Sequence, residues 1–141
     1  RLADLPEGRP KMRVLVIDDD DIAREFLCST LRAAGHETFE LQSSIGATRC
    51  IHEQKVDAVV LDVMLPTVNG DKLARMFRQS SVGDHLGIVL VSSRPKPELQ
   101  SLATLAQADD IVTKSQIQRG LVLAVQRAVV RRAGMRRRDN A

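Results

Sequence analysis

Five side chains in this sequence combine into a set able to hold a hard cation and accept a charged group. They are the carboxylates of Asp18, Asp19 and Asp62, the hydroxyl of Ser92 and the ammonium of Lys114. Each follows a short apolar run: Val14-Leu15-Val16-Ile17 before Asp18, Ala58 to Leu61 before Asp62, Leu86 to Val91 before Ser92, and Ile111-Val112-Thr113 before Lys114. Runs of this length without polar alternation read as strands buried on both faces, the pattern of a parallel sheet. Open α/β sheets hold their ligands at the carboxyl ends of such strands, which is where all five groups fall.

Three carboxylates packed together repel, and a bound cation relieves them. Hard oxygen ligands in small number favour Mg²⁺, which keeps several waters and binds through one or two carboxylates plus phosphate oxygens. A carboxylate can also act as a nucleophile and become an aspartyl phosphate. Mg²⁺, Lys114 and the Ser92 hydroxyl then share the charge of three equatorial oxygens during in-line transfer. Plainer readings stand beside this one. Asp62 caps the next turn, Lys114 only pairs with Asp18 or Asp19, Ser92 caps the following turn, and the acidic run Asp18 to Asp21 is a solvated helix start.

The elements that must position these groups follow from periodicity and punctuation. Arg13 to Ile17 reads as a first strand, after which Asp20 or Asp21 caps a helix using Ile22, Phe26, Leu27 and Leu31 and stopping at Gly35. His36 to Leu41 is a second strand, and Ser44 to His52 a short helix using Ile45, Thr48 and Ile51. The Asp62 strand is third, and a helix after Gly70 uses Leu73, Met76 and Phe77. The fourth strand ends at Ser92-Ser93, and a helix runs from near Pro97 to about Gln107. A short fifth strand ends at Lys114. The spacing Ser115-x-x-Gln118 has the form of a capping box opening a last helix, whose main stripe is Ile117, Leu121, Ala124, Val125 and Ala128. Leu123 and Val130 fall one heptad apart on nearly the opposite side, a candidate partner surface.

Five strands alternating with five helices predict an α/β fold, a flavodoxin-like doubly wound (βα)5 parallel sheet with strand order 2-1-3-4-5. Strands one and three are then neighbours, and Asp18, Asp19 and Asp62 converge at one crevice.

Composition narrows the alternatives. At 141 residues the chain suits one domain, divided here as a 1–11 leader, a 12–132 domain and a 133–141 basic tail. No apolar run approaches the roughly 20 residues needed to span a bilayer, and Cys28 and Cys50 fit no metal-ligand spacing and read as reduced cytosolic thiols. The first residue is Arg, so the chain reads as a fragment or a processed form, either a stand-alone domain or one cut from a larger protein. Residues 127–141 hold six arginines against one aspartate, so the formal +3 and the pI of about 9.2 describe the tail rather than the domain. There is no G-x-G-x-x-G and no G-x-x-x-x-G-K-[ST], and His36, His52 and His85 are scattered, which excludes dinucleotide, P-loop and triad readings. No Trp, no Tyr and only three Phe argue against base-stacking platforms for nucleic acid.

At these residues the chain strongly resembles the receiver domain of two-component response regulators. The matches are Val14-Leu15-Val16-Ile17-Asp18-Asp19, Leu61-Asp62-Val63-Met64-Leu65-Pro66 with Gly70, Val91-Ser92-Ser93 and Thr113-Lys114, in the expected order over roughly residues 12–132. The resemblance implies that Asp62 is the phosphoacceptor. It implies Mg²⁺ held by Asp18, Asp19, Asp62 and the Met64 carbonyl. Ser92 then bonds the phosphoryl group, Ser93 is the small residue that leaves access, and Lys114 pairs with the phosphoryl. The donor is a phosphohistidine on a histidine kinase or phosphotransfer protein, in the cytoplasm.

Two departures stand out. An aromatic usually occupies the position of Ile111, which is β-branched and smaller. The lysine is usually followed by a cis proline, whereas here it is Ser115; a non-proline cis bond costs about 3 kcal/mol, so Lys114–Ser115 is expected to be trans. Met64 and Arg94, two past Asp62 and Ser92, are bulky enough to obstruct the attacking water and set the phosphoryl lifetime.

Two functions are therefore expected first. One is a phosphorylatable receiver that accepts a phosphoryl group, dephosphorylates itself slowly, and alters an output partner's binding at the face of helix four, strand five and helix five. The other is a phosphorylation-independent interaction module on the same fold. Leu123 and Val130 serve either as a homodimer contact. A phosphatase resembling haloacid dehalogenases is disfavoured, since its second aspartate would fall at Met64.

Overall fold

The computed structural model describes residues 11–65, 68–80 and 83–139, without the side chains of 136–139; Pro66, most of the expected leader and the last two residues lie outside the described residues. Five parallel strands form one sheet in the order β2-β1-β3-β4-β5, as the alternation of apolar runs and amphipathic segments requires. The strands are β1 (Arg13–Ile17), β2 (Glu37–Leu41), β3 (Ala58–Asp62), β4 (Gly87–Ser92) and β5 (Asp110–Thr113). The helices are α1 (Asp21–Ala33), α2 (Ala47–Glu53), α3 (Gly70–Gln79), α4 (Lys96–Ala106) and α5 (Ile117–Asp139). Register pairs Ile17 with Leu61 and Asp62 with Val91, and Ser92 with Thr113. Every residue of β3 and β4 is buried, as expected of central strands covered on both faces.

Alternation along the strands divides the interior into two cores. Leu15, Ile17, Val59, Leu61, Ile88 and Leu90 face α2, α3 and α4, packing with Leu73, Phe77 and Leu99. Val14, Val16, Val60, Val89 and Val91 face α1 and α5, packing with Leu27, Leu31, Leu121 and Val125. The expected stripe of α5 is buried in full: Ile117, Leu121, Ala124, Val125 and Ala128. Leu123 and Val130 stay exposed on the other side. The helix continues through Asp139, past the boundary at residue 132, so the basic segment up to that residue extends α5.

Several helix faces differ from expectation. Ile22 is 82% exposed and Phe26 also faces solvent, while Cys28 joins Leu27 and Leu31 inside. A small apolar residue took an inward place that a search for large ones passes over. Helix α2 starts at Ala47, after Gly46 at φ 81°, so Ile45 lies in the entry loop and both Ile45 and Thr48 point outward. Ala74 rather than Met76 completes the inner face of α3. His36 is buried ahead of β2 rather than within it, and β4 begins one residue after Leu86. A 3₁₀ turn, Lys114–Gln116, precedes α5, so Ser115 sits inside that turn instead of capping the helix; its hydroxyl lies 3.2 Å from that of Thr113.

Candidate functional site

Strands β1 and β3 end side by side and bring Asp18, Asp19 and Asp62 together, with one carboxylate oxygen from each lying within 4.8 Å of the others. Asp18 is fully buried and Asp62 is 4% exposed, while Asp19 faces solvent. Backbone amides fix two of the carboxylates. The Asp20 N–H donates to Asp18 Oδ1 at 2.9 Å, and the Met64 N–H donates to Asp62 Oδ1 at 2.9 Å. Asp20 itself caps α1, accepting from the Ala23 N–H.

Lys114 reaches across from the turn that follows β5. Its Nζ donates to Asp62 Oδ2 at 3.2 Å and lies 3.8 Å from Asp18 Oδ2. Burial opposes the lysine charge, but Asp62 and Asp18 outweigh it and hold its pKa above the usual value. Burial also pushes the Asp18 carboxyl up to about 6; the Asp20 amide opposes this, the Asp62 charge adds to it, and Lys114 opposes it. One ammonium does not satisfy the three acids. Asp18 Oδ2 is buried with no hydrogen-bond donor among the described residues, an arrangement that costs free energy unless a cation or proton supplies the missing partner. The donor set, all carboxylate oxygen, fits a hard divalent cation.

The loop after β3 is held close. The Gly70 N–H donates to the Val63 carbonyl at 2.9 Å, and a Cβ at Gly70 would lie 2.3 Å from the Asp62 carbonyl oxygen. Only glycine fits there without moving the residue that carries the carboxylate. On β4, Ser92 is fully buried, and its Oγ accepts from the Arg94 N–H at 3.1 Å. Ser93 is exposed beside it. Arg94 reaches over to Met64, its Nη2 3.4 Å from the sulfur, and the two exposed side chains make a bridge between the loops after β3 and β4. The Lys114–Ser115 bond is trans, as expected, and Ile111 is half-buried against the core beneath α4. Leu123 and Val130 belong to the outer side of α5, away from this cluster.

The site and the fold together decide the family, and comparison with known sequences agrees. The response regulator receiver domain matches residues 14–126. The chain belongs to the response regulator receiver family. It is 31% identical over 121 residues to the phosphate regulon transcriptional regulatory protein PhoB of Pseudomonas aeruginosa, covering 86% of this chain and 52% of that protein. It is 34% identical over 128 residues to the transcriptional regulatory protein AfsQ1 of Streptomyces coelicolor, covering 91% and 55%. This receiver thus spans about half the length of the curated relatives it matches. A two-component response regulator of the LuxR family from Aurantimonas superposes with a TM-score of 0.75 at 28% identity, covering 89% of this chain and 87% of that one.

Two features escaped sequence reasoning. Arg24 on α1 donates to the Asp18 carbonyl at 2.8 Å and pairs with Asp21 and Glu40, tying the acidic turn to β2. At the far end of the sheet, Asp109 is clasped by Arg78 at 2.6 Å and Arg132 at 2.7 Å, while its Oδ2 also accepts the Ile88 N–H. These partners are 31 and 23 residues from Asp109 in sequence. The one trace they leave is an acidic pair, Asp109-Asp110, where the short strand β5 begins.

Proposed function

We propose that this receiver accepts a phosphoryl group on Asp62 from a phosphohistidine on a histidine kinase or phosphotransfer protein. The observation that carries the reading is the meeting of Asp62 and Lys114 beside a fully buried Asp18 oxygen that has no donor among the described residues. Asp18, Asp19, Asp62 and the Met64 carbonyl would hold Mg²⁺, which when bound supplies neutralisation of the phosphoryl oxygens. A carboxylate oxygen of Asp62 attacks phosphorus as the phosphorus–nitrogen bond breaks, and the imidazole leaves with the electron pair and takes up a proton. Lys114 follows the new negative charge, and the Ser92 hydroxyl turns from the Arg94 amide toward a phosphoryl oxygen. Ser93 leaves the entry open. Met64 and Arg94 screen phosphorus from water, so self-dephosphorylation is slow and turnover of a substrate is not the protein's task.

Movement at Ser92 and Lys114 alters the α4, β5 and α5 face, where an output partner binds, because Ser92 pairs with Thr113 in the sheet. With Ile111 in place of the usual aromatic, the switch runs through another group or is muted. Leu123 and Val130 form a homodimer contact on the outer side of α5, and alanine at both positions lowers self-association in sedimentation. The setting is the cytoplasm; no helix among the described residues is long and apolar enough to cross a membrane. The test is intact mass spectrometry after incubation with Mg²⁺ and acetyl phosphate. One added phosphoryl, absent in Asp62→Asn, supports the reading. The absence of any adduct, with no beryllofluoride response by NMR, favours the phosphorylation-independent module, to which Ile111 and the trans Lys114–Ser115 bond already lean.

A further inference from the structure

The backbone bonding of β1 to β2 ends at Asp18, whose N–H donates to the Leu41 carbonyl at 3.2 Å. The chain then turns into α1, and no backbone N–H among the described residues donates to the Asp18 carbonyl. Asp18 is fully buried, so that carbonyl needs a donor from elsewhere. Arg24 Nη1 supplies it at 2.8 Å. The rest of the guanidinium is engaged too: Nη2 donates to Asp21 Oδ1 at 2.5 Å, and Nε lies 3.4 Å from Glu40 Oε1. The Arg24 side chain is only 12% exposed, although Asp21 and Glu40 both face solvent. Ion pairs to exposed carboxylates contribute little alone. The buried contact is the one to the carbonyl.

Asp19 gives that contact its meaning. Asp18 and Asp62 each receive a backbone N–H on the carboxylate. The Asp19 carboxylate forms no hydrogen bond or ion pair among the described residues. Its direction therefore depends on the two planar peptides that flank it. The Asp19–Asp20 peptide is held by its N–H, which donates to Asp18 Oδ1. The Asp18–Asp19 peptide is held by its carbonyl, which accepts from Arg24. Rotation of either plane would swing Asp19 away from Asp18 and Asp62.

We propose that Arg24 is a positioning residue for the cation: by fixing the Asp18–Asp19 peptide it aims the Asp19 carboxylate into the crevice and raises Mg²⁺ affinity, although it is itself a cation. The proposal rests on the reading of Asp18, Asp19 and Asp62 as Mg²⁺ ligands. A purely electrostatic role has the opposite sign, because removing a positive charge beside an acidic cluster strengthens cation binding. A purely structural tie between α1 and β2 lowers stability and leaves the Mg²⁺ affinity of the folded chain unchanged.

The experiment is calorimetric titration of Mg²⁺ into the whole chain at pH 8, with each variant folded by circular dichroism, together with amide NMR of the metal-free protein. Arg24→Met is expected to weaken Mg²⁺ binding about tenfold, the usual scale for groups that orient metal ligands. Arg24→Lys keeps the charge but not the planar fork, and is expected to bind about threefold more weakly than the parent. The Asp19 amide resonance, on the peptide that the guanidinium holds, shifts in both. Arg32→Met removes a charge of the same sign from α1, where it pairs with Glu25 and Thr38. Affinity there stays within about twofold, since solvent screens that charge. Unchanged or tighter binding in Arg24→Met overturns the proposal, as does an equal loss in Arg32→Met. If Arg24→Met does not fold, Arg24→Lys decides: weaker binding supports the proposal, and parent-like affinity overturns it because charge alone then suffices. A parent that takes up no Mg²⁺ defeats the ligand reading itself. A shifted Asp19 amide then still upholds the grip of Arg24 on the peptide, and an unshifted one overturns it.

Discussion

Replacing Gly70 by alanine tests whether the loop after β3 holds the carboxylate of Asp62, the proposed acceptor, in place. The new Cβ would lie 2.3 Å from the Asp62 carbonyl oxygen and 2.9 Å from the Val63 Cα. Both are backbone atoms, so no side chain can rotate out of the way. Restoring ordinary non-bonded spacing needs the start of α3 and the Asp62 carbonyl to separate by roughly 1.1 Å or more. Overpacking of this kind costs about 1–3 kcal/mol. The displacement also falls on the proposed acceptor, and a misplacement near 1 Å costs on the order of 100-fold in rate. We expect a loss of roughly 10- to 100-fold in phosphorylation by acetyl phosphate, followed by intact mass against time. Urea unfolding by circular dichroism gives the stability change. Gly134→Ala is the control: a Cβ there meets nothing within 4 Å, so the same change inside α5 should stabilise by about 1 kcal/mol and leave the rate alone. Parent-like rate and stability in Gly70→Ala would refute the reasoning, as would an equal loss in Gly134→Ala.

Other consequences follow from single contacts. Buried His36 accepts the Met12 N–H on Nδ1 at 3.1 Å, and burial lowers its pKa. The unfolded chain therefore binds the extra proton first, and this contribution to stability is lost as pH falls below about 6.5. His36→Gln should lose less stability than the parent between pH 7.5 and 5.5 in urea titrations, the comparison cancelling the opposite slope from Asp18. Arg78→Met should cost about 3–5 kcal/mol, since its guanidinium also donates to the Gly83, Leu86 and Gln107 carbonyls. Arg132→Met should cost less, about 2 kcal/mol, because Asp109 keeps Arg78; equal losses in urea unfolding would contradict that ranking. Lys114→Met removes the one ammonium that the described residues place beside the three acids and should tighten Mg²⁺ binding several-fold, on the order of 1 kcal/mol, measured by calorimetry. Weaker binding would show that Lys114 organises the acids rather than competing with the cation.

The fold was legible because it depends on coarse signals. Four of the apolar runs end in a polar group at the sheet's carboxyl edge, so the strand order alone assembles Asp18, Asp62, Ser92 and Lys114. That part of the site needed nothing finer. The helix faces were less legible, since Cys28, Ala47 and Ala74 fill inward positions where steric room, not hydrophobic size, decides. Periodicity of large side chains pointed to Ile22, Ile45 and Met76, which face solvent. The Arg78, Asp109 and Arg132 cluster was invisible for a different reason. Its members share no local spacing, and their meeting depends on how α3 and α5 are placed around the start of β5 in three dimensions.

The sheet's division of the interior into two cores has an evolutionary consequence. Neighbouring strand residues such as Leu90 and Val91 serve different cores, so a substitution in one is separated from the other by a layer of hydrogen-bonded backbone. Changes on the two sides should combine almost additively. The α2–α4 side can then drift to suit new partners while the α1–α5 side keeps the sheet's other face intact. A receiver built this way can be respecialised one layer at a time, with the acidic crevice at the sheet's edge held constant between them.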